Sequence, residues 1–218
     1  MALHMEKKEV DVSVDFGSSK TLATFRLKGE DGEPEVLTYP PGAVVPNNRK
    51  AHDELVATVL VSSKEKDPGY TVSELCGELD TAVFTSLKLS LDISSEAEPY
   101  NKRFSEQLEK LNLKRRSAGF SEVTRDKLLQ APFNRIFKRI REVIKERYPS
   151  CDKLTIRLRV GHPVHWSVAS KCKLREVATT AGKEEGIDGI DLTVSLFNEA
   201  RAALARLIDL GLVKISQH

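Results

Sequence analysis

The segment Asp15-Phe16-Gly17-Ser18-Ser19-Lys20-Thr21 holds residue types whose spacing suits phosphate chemistry. A carboxylate is followed two residues later by a glycine that permits a tight backbone turn, then by two hydroxyl residues whose amides can point at an anion. Such a turn suits phosphate oxygens. The carboxylate beside it suits hydrated Mg²⁺, which keeps several waters and binds through one or two carboxylates plus phosphate. The same residues also make an ordinary polar hairpin turn, so the elements around them must decide.

Those elements alternate cleanly. Val10, Val12, Val14 and Phe16 share one face of a period-two run, with Asp11, Ser13 and Asp15 on the other. After the turn, Ala23, Phe25 and Leu27 alternate again, predicting an antiparallel hairpin. A third short strand fits Glu35 to Tyr39, after Gly29-Glu30-Asp31-Gly32. Asp15 thereby falls at the carboxyl end of the first strand, the edge of an open sheet where ligands bind.

The middle of the chain is less regular. Tyr39 to Arg49 reads as loop, Val56 to Ser62 as a strand of a small accessory layer, and Thr71 to Asp92 opens as a helix and contains VFTSLKL. Ile93 to Gly119 is polar and reads as a solvated helix-loop excursion. Its basic run Lys114-Arg115-Arg116 lacks the interleaved aromatics that stack on nucleobases. A helix is expected from Pro132, a residue tolerated at the first helical position, with Phe133, Ile136, Phe137, Ile140 and Ile144 on one face.

The last third alternates strand and helix. Leu154, Ile156, Leu158 and Val160 predict a strand that stops at Gly161-His162-Pro163. Ser167 caps a helix with Leu174, Val177, Ala178 and Ala181 inward, ended by Gly182. A strand over Ile190 to Val194 follows. Asn198 then precedes a helix expected to turn Ala200, Ala203, Leu204, Leu207 and Ile208 inward and to close at Gly211. Three strands in a meander followed by strand-helix alternation predict an α/β fold of ribonuclease-H-like type: a mixed five-stranded sheet with helices and an inserted accessory subdomain. Right-handed crossovers would set the first, fourth and fifth strands parallel and adjacent.

Composition is consistent with that frame. A chain of 218 residues, 40% hydrophobic and 30% charged, has the apolar content for a folded core. The net charge of +2, from 34 basic and 32 acidic residues, gives no global field favouring nucleic acid or anionic membrane. The apolar run Val56 to Val61 is far shorter than the ~20 residues of a membrane span. Cys76, Cys151 and Cys172 are scattered without metal-ligand or redox spacing, which suits a reducing compartment, the cytosol being the simplest. Met1 to Met5 reads as a vector-derived leader.

VDVSVDFGSSKTLATF resembles the first phosphate motif of the actin, sugar-kinase and heat-shock ATPase superfamily. LRVGHPVHWSVASKCKLREVATTAGKEEGI resembles the strand, proline turn and helix of its seventy-kilodalton heat-shock branch, and LFNEARAALARL resembles that branch's N-E-P-T-A-A-A-L-A segment. The resemblance runs over residues 9 to 210. It implies the N-terminal lobe of an actin-like ATPase over 6–218, with core at 9–39 and 130–212 and an accessory insertion at about 40–129.

Position by position, the resemblance implies that Asp15 orders the water shell of Mg²⁺, while Gly17, Ser18, Ser19 and Lys20 cradle the phosphates of ATP or ADP. Glu199 matches an acidic residue that holds a water or the metal's shell, and Lys88 is matched to a lysine that stabilises the transferring phosphate. Pro163 matches a proline that relays conformation. The implied partners are nucleotide, a second ATPase lobe, and cochaperones or client polypeptides of a stress-response chaperone. Neither nucleic acid nor membrane is expected.

Each residue also has an ordinary structural explanation: Lys88 as a solvated lysine, Glu199 as an acid favoured at a helix N-terminus, His162 as a packing residue. His162, His165 and Trp166 stand where the branch has smaller or different residues, and Ala200 where it has proline, so a divergent member is implied. After Gly211 the sequence reads LVKISQH, with no second D-x-G-G-G-T loop or adenosine site. The expectation is a lobe that binds nucleotide weakly and does not turn it over alone. Two other readings stand beside it: a non-catalytic actin-like interaction module, and a ribonuclease-H-like nuclease. The nuclease would need several convergent carboxylates, yet Gly161 and His162 end the fourth strand.

Overall fold

The computed structural model describes residues 6–17, 20–37, 55–56, 59–63, 81–84, 87–184, 190–210 and 212. The first strand, β1 (Glu6–Phe16), pairs antiparallel with β2 (Lys20–Leu27), which pairs in turn with the short β3 (Glu35–Val36). On its other side β1 runs parallel to β7 (Cys151–His162), and β7 runs parallel to β8 (Ile190–Asn198). The sheet order is β3-β2-β1-β7-β8, with a two-residue β4 (Leu55–Val56) attached to β2 as a sixth strand. This is the expected mixed sheet with helices, with the parallel trio β1, β7 and β8 at its centre and edge.

The alternation of β1 follows from having one covered face. Val10, Val12, Val14 and Phe16 are buried, as are Ile156, Leu158 and Val160 on β7. Two helices cover this face and pack on each other: α3 (Arg125–Arg147) and α4 (Val168–Glu184). Phe133 of α3 lies 5.2 Å, ring to ring, from Phe16, the residue that leads into the Gly17 turn. An aromatic pair of this kind contributes about 1 kcal/mol beyond its burial.

The accessory region differs from its expected outline. The stretch expected as one strand over 56–62 divides, Leu55–Val56 joining the main sheet and β5 (Val59–Ser62) pairing with β6 (Thr81–Phe84) in a separate two-stranded sheet. The helix expected to open Thr71 to Asp92 lies outside the described residues over its first ten positions. The VFTSLKL segment enters a short helix, α1 (Leu87–Leu91). A 3-10 turn (Ser95–Ala97) leads into α2 (Glu98–Ser117), where the solvated excursion was expected. α2 is not solvated throughout: Phe104 and Leu111 are buried, and so is Arg115, whose Nε donates to the Ser121 carbonyl at 2.8 Å.

Three further boundaries are corrected. α3 starts at Arg125 rather than Pro132, because Thr124 caps it, its Oγ1 accepting from the Lys127 amide at 3.3 Å. Pro132 sits inside the helix, where it lacks the amide that would bond the Leu128 carbonyl, an omission that costs about 3 kcal/mol in an isolated helix. α4 continues past Gly182 to Glu184. That glycine is a close-approach position, since a Cβ there would lie 2.3 Å from Leu192 Cδ2. The strand expected to end at Val194 extends to Asn198.

The fourth correction concerns α5 (Glu199–Asp209). Its apolar residues were expected inward, yet none is buried, and Leu204 and Leu207 are 48% and 40% exposed. The amphipathic pattern is present without a covering partner among the described residues. Among those residues no helix is long and apolar enough to cross a membrane.

Candidate functional site

β1, β7 and β8 run parallel, so their carboxyl ends share one edge, where Asp15 and Glu199 stand. Asp15 is the penultimate residue of β1 and exposed on the face away from the core. The chain turns directly after it, Gly17 N–H donating to the Asp15 carbonyl at 3.2 Å. Ser18 and Ser19 lie outside the described residues. Lys20 begins β2 and pairs with Val56.

On β7 the register runs to Val14 opposite Val160, which sets Asp15 and Gly161 one step further along the same edge. Gly161 in turn lies opposite Phe197, and His162 opposite Asn198. Asn198 ends β8 and caps α5, its Oδ1 accepting from the Arg201 amide at 3.0 Å. The cap fixes Glu199 as the first helical residue. A Cβ on Gly161 would lie 2.9 Å from Glu199 Cγ and 3.1 Å from Oε1, so the glycine leaves the space that the Glu199 side chain fills.

Lys88 reaches the same carboxylate from α1. Its Nζ donates to Glu199 Oε1 at 2.6 Å, a charge-assisted hydrogen bond across 111 residues of sequence. The Lys88 side chain is only 9% exposed and that of Glu199 30%. Lys88 is therefore not the solvated lysine of the simplest reading. The structure brings Lys88 and Glu199 together, and the strand register brings Asp15 to the same sheet edge.

α1 is held in place by a polar network that sequence reasoning did not find. Buried Asp92 follows α1, and its Oδ1 accepts from Ser170 Oγ at 3.0 Å and from the Ser94 amide at 3.1 Å. Ser170 Oγ also accepts from the Ile93 amide at 3.1 Å, and the Ser170 amide donates to Ser167 Oγ at 3.1 Å. The expected Ser167 cap thus also anchors α1 to α4. The spacing Ser167-x-x-Ser170 signalled a cap, but nothing local pointed to Asp92. Gly161 carried a clearer signal, a glycine closing an alternating strand, and it was read only as a stop.

The proline turn is compact. His162 is buried, and its Nδ1–H donates to the Pro163 carbonyl at 2.8 Å, which fixes the tautomer. Trp166 is buried beneath the turn, while His165 is exposed.

No family model matches this sequence, and no curated protein matches it. Solved structures similar to it include MreB5 of Spiroplasma citri bound to ADP, at 13% identity and a TM-score of 0.45 over 89% of this chain. The same protein bound to AMPPNP is similar at 12% identity and a TM-score of 0.45 over 90% of this chain. In both cases this chain spans 40% of the length of the structure it matches.

The exposed carboxylate of Asp15 at the edge is of a type that fits a hydrated metal ion. Among the described residues no group of three or more His, Cys, Asp or Glu side chains comes together as a metal cage. A single exposed carboxylate at a strand end suits an ion that keeps its waters and takes its remaining ligands from phosphate. Thr21, where the chain returns from the turn, holds a buried Oγ1 with no hydrogen-bond partner. It lies on the covered face of the hairpin with its register partner Phe16, not on the face that exposes Asp15.

Proposed function

We propose that this lobe binds the phosphates of ATP or ADP at the carboxyl edge of β1, β7 and β8. The observation that carries the reading is the Lys88–Glu199 pair, a largely buried cation held at 2.6 Å beside the edge that ends in Asp15. An ammonium there is positioned before any ligand arrives, so little reorganisation is needed when phosphate charge develops beside it.

In this reading Asp15 holds the water shell of Mg²⁺. The Gly17, Ser18 and Ser19 amides, with Lys20, receive the β and γ phosphates. Glu199 fixes the direction of Lys88 and orients a water. The bound nucleotide and Mg²⁺ would supply the transferable phosphoryl group and the neutralising charge. Phosphoryl transfer depends on positioning from both sides of a cleft, and the residues named here form one side. We expect weak binding and no turnover by the chain alone.

The finer reading is that the lobe works with a second lobe in a chaperone ATPase of the heat-shock type, alongside cochaperones and client polypeptides. It rests on the resemblance of the GHP turn and the NEARAA segment, with the departures at His165 and Ala200 noted. One observation favours the non-catalytic alternative: α5 leaves Leu204 and Leu207 uncovered, as a surface for a partner polypeptide would. Equilibrium binding of Mg-ATP to the chain and to its Asp15→Asn variant tests the nucleotide reading. Binding that is lost in the variant supports it, and equal binding or none overturns it.

A further inference from the structure

Away from the sheet edge, α1, the 3-10 turn and the starts of α2 and α3 line an open cavity of about 660 Å³ against α4. Neither Lys88, Glu199 nor Asp15 lines it. Its distinctive member is Arg125, at the N-terminus of α3. The Nη2 of Arg125 donates to the Ser90 carbonyl at 2.5 Å and to Asn101 Oδ1, and its guanidinium lies over the Phe104 ring at 5.2 Å. These contacts hold the group in place without neutralising it. Among the described residues no carboxylate lies within ion-pair distance of Arg125, and its Nε and Nη1 donors have no partner. Burial pulls its pKa below the usual arginine value, opposed by the field of Asp126.

The other cation of the cavity is already matched. Lys173 pairs with Asp126 at 3.1 Å and with Glu176 at 3.3 Å. A second unpaired donor lines the same cavity, since Ser94 Oγ is buried without a hydrogen-bond partner. Leu91, Ile93 and Leu129 supply an apolar wall, and Glu98 adds negative charge at the rim. A half-buried guanidinium with no carboxylate in ion-pair contact has donors left for a ligand, and a planar carboxylate is the group its fork fits. The acidic rim disfavours a doubly charged phosphate.

We infer that this cavity binds a carboxylate bearing an apolar substituent, with Arg125 and Ser94 donating to the carboxylate and Leu91, Ile93 and Leu129 receiving the substituent. Two sources share this chemistry, a free branched organic acid and the C-terminal carboxylate of a polypeptide.

Cys172 lines the cavity and is exposed, so its alkylation by iodoacetamide reports occupancy when read peptide by peptide in a mass spectrometer. The probes are 4-methylpentanoate, its neutral amide, inorganic phosphate, and a short peptide ending in leucine with a free or an amidated terminus. A severalfold slowing of Cys172 labelling by the acid or by the free-terminus peptide is expected, and which of the two acts assigns the source. The amide, phosphate and the amidated peptide should leave the rate unchanged. Arg125→Gln should abolish the protection, and Arg125→Lys should retain part of it. The inference is overturned if the neutral amide or phosphate protects as well as the acid, if no carboxylate protects, or if protection survives in R125Q. The comparison of acid with amide on the unaltered chain stands even if the variants fail to fold.

Discussion

Lys88 Nζ lies 2.6 Å from Glu199 Oε1, joining a five-residue helix before α2 to the first residue of the last described helix. The pair ties the accessory region to the sheet edge. Truncating Lys88 to Met leaves the Glu199 carboxylate without its donor. We expect Lys88→Met to destabilise the chain by about 2 kcal/mol, the scale of a hydrogen bond between charged groups. The double variant with Glu199→Gln should cost less than the sum of the single changes, as urea unfolding would measure. Additive losses would mean that the two side chains do not interact in solution.

Gly161 makes room for that pair. Adding a methyl group there places a Cβ 2.9 Å from Glu199 Cγ and 3.1 Å from the Phe197 ring. Because the obstructing atoms belong to side chains, the strand can remain in register while Glu199 moves. Gly161→Ala is therefore expected to cost about 1 kcal/mol by overpacking. In a crystal structure of the variant the Lys88–Glu199 bond should be broken. An unchanged bond would refute the close-approach role of the glycine.

Gly182 is the more severe case. Its Cβ would meet Leu192 Cδ2 at 2.3 Å, inside the packing of α4 on β8. Alanine has the better helix propensity, so an exposed site would gain about 1 kcal/mol from the change. Here the sign should reverse, with a net loss of about 1–3 kcal/mol in thermal or urea unfolding. A stabilised variant would contradict the packing described.

Acid sensitivity is expected at the hairpin edge. Arg147 donates to both carboxylate oxygens of Glu35, at 2.6 and 2.5 Å, tying α3 to β3, and this hydrogen bonding holds the Glu35 carboxyl below its usual range. Glu9 is lowered in the same way, first by its hydrogen bond from Lys28. A carboxylate depressed in the folded state contributes stability that is complete above its unfolded value. That contribution disappears as pH falls through the folded value. Stability should therefore be level above about pH 4.3 in these two terms and fall below it. Glu35→Gln should flatten part of the acid limb of a pH-dependent unfolding series, and an unchanged limb would exclude the pair as a cause.

Much of the central sheet was legible because burial is one-sided. Val10, Val12 and Val14 alternate with polar residues for the physical reason that α3 and α4 cover one face only. The same logic placed Ile156, Leu158 and Val160. Helix starts were less legible where two signals competed. Pro132 carries a strong preference for a first helical turn, whereas Thr124, well before that proline, holds the actual cap. α5 shows the opposite limit. Its apolar spacing specifies a face, but no local pattern says what covers that face.

The site was legible unevenly. Asp15 could be set at a strand end from alternation alone, and Ser167 could be recognised as a cap from residue type. The burial of Lys88 could not, since a lysine in a polar stretch has no local feature that distinguishes a surface position from a paired one. Its partner is 111 residues away. Only the fold brings the accessory helix to the end of β8.

The most direct test of the phosphate-edge reading is a titration of the ¹⁵N-labelled chain with Mg-ATP, followed by amide chemical shifts. The account predicts concentration-dependent shifts at Gly17, Lys20, Gly161 and Glu199, weak in affinity and lost in Asp15→Asn. Absence of shifts at those amides, or shifts confined to another face of the lobe, would contradict it.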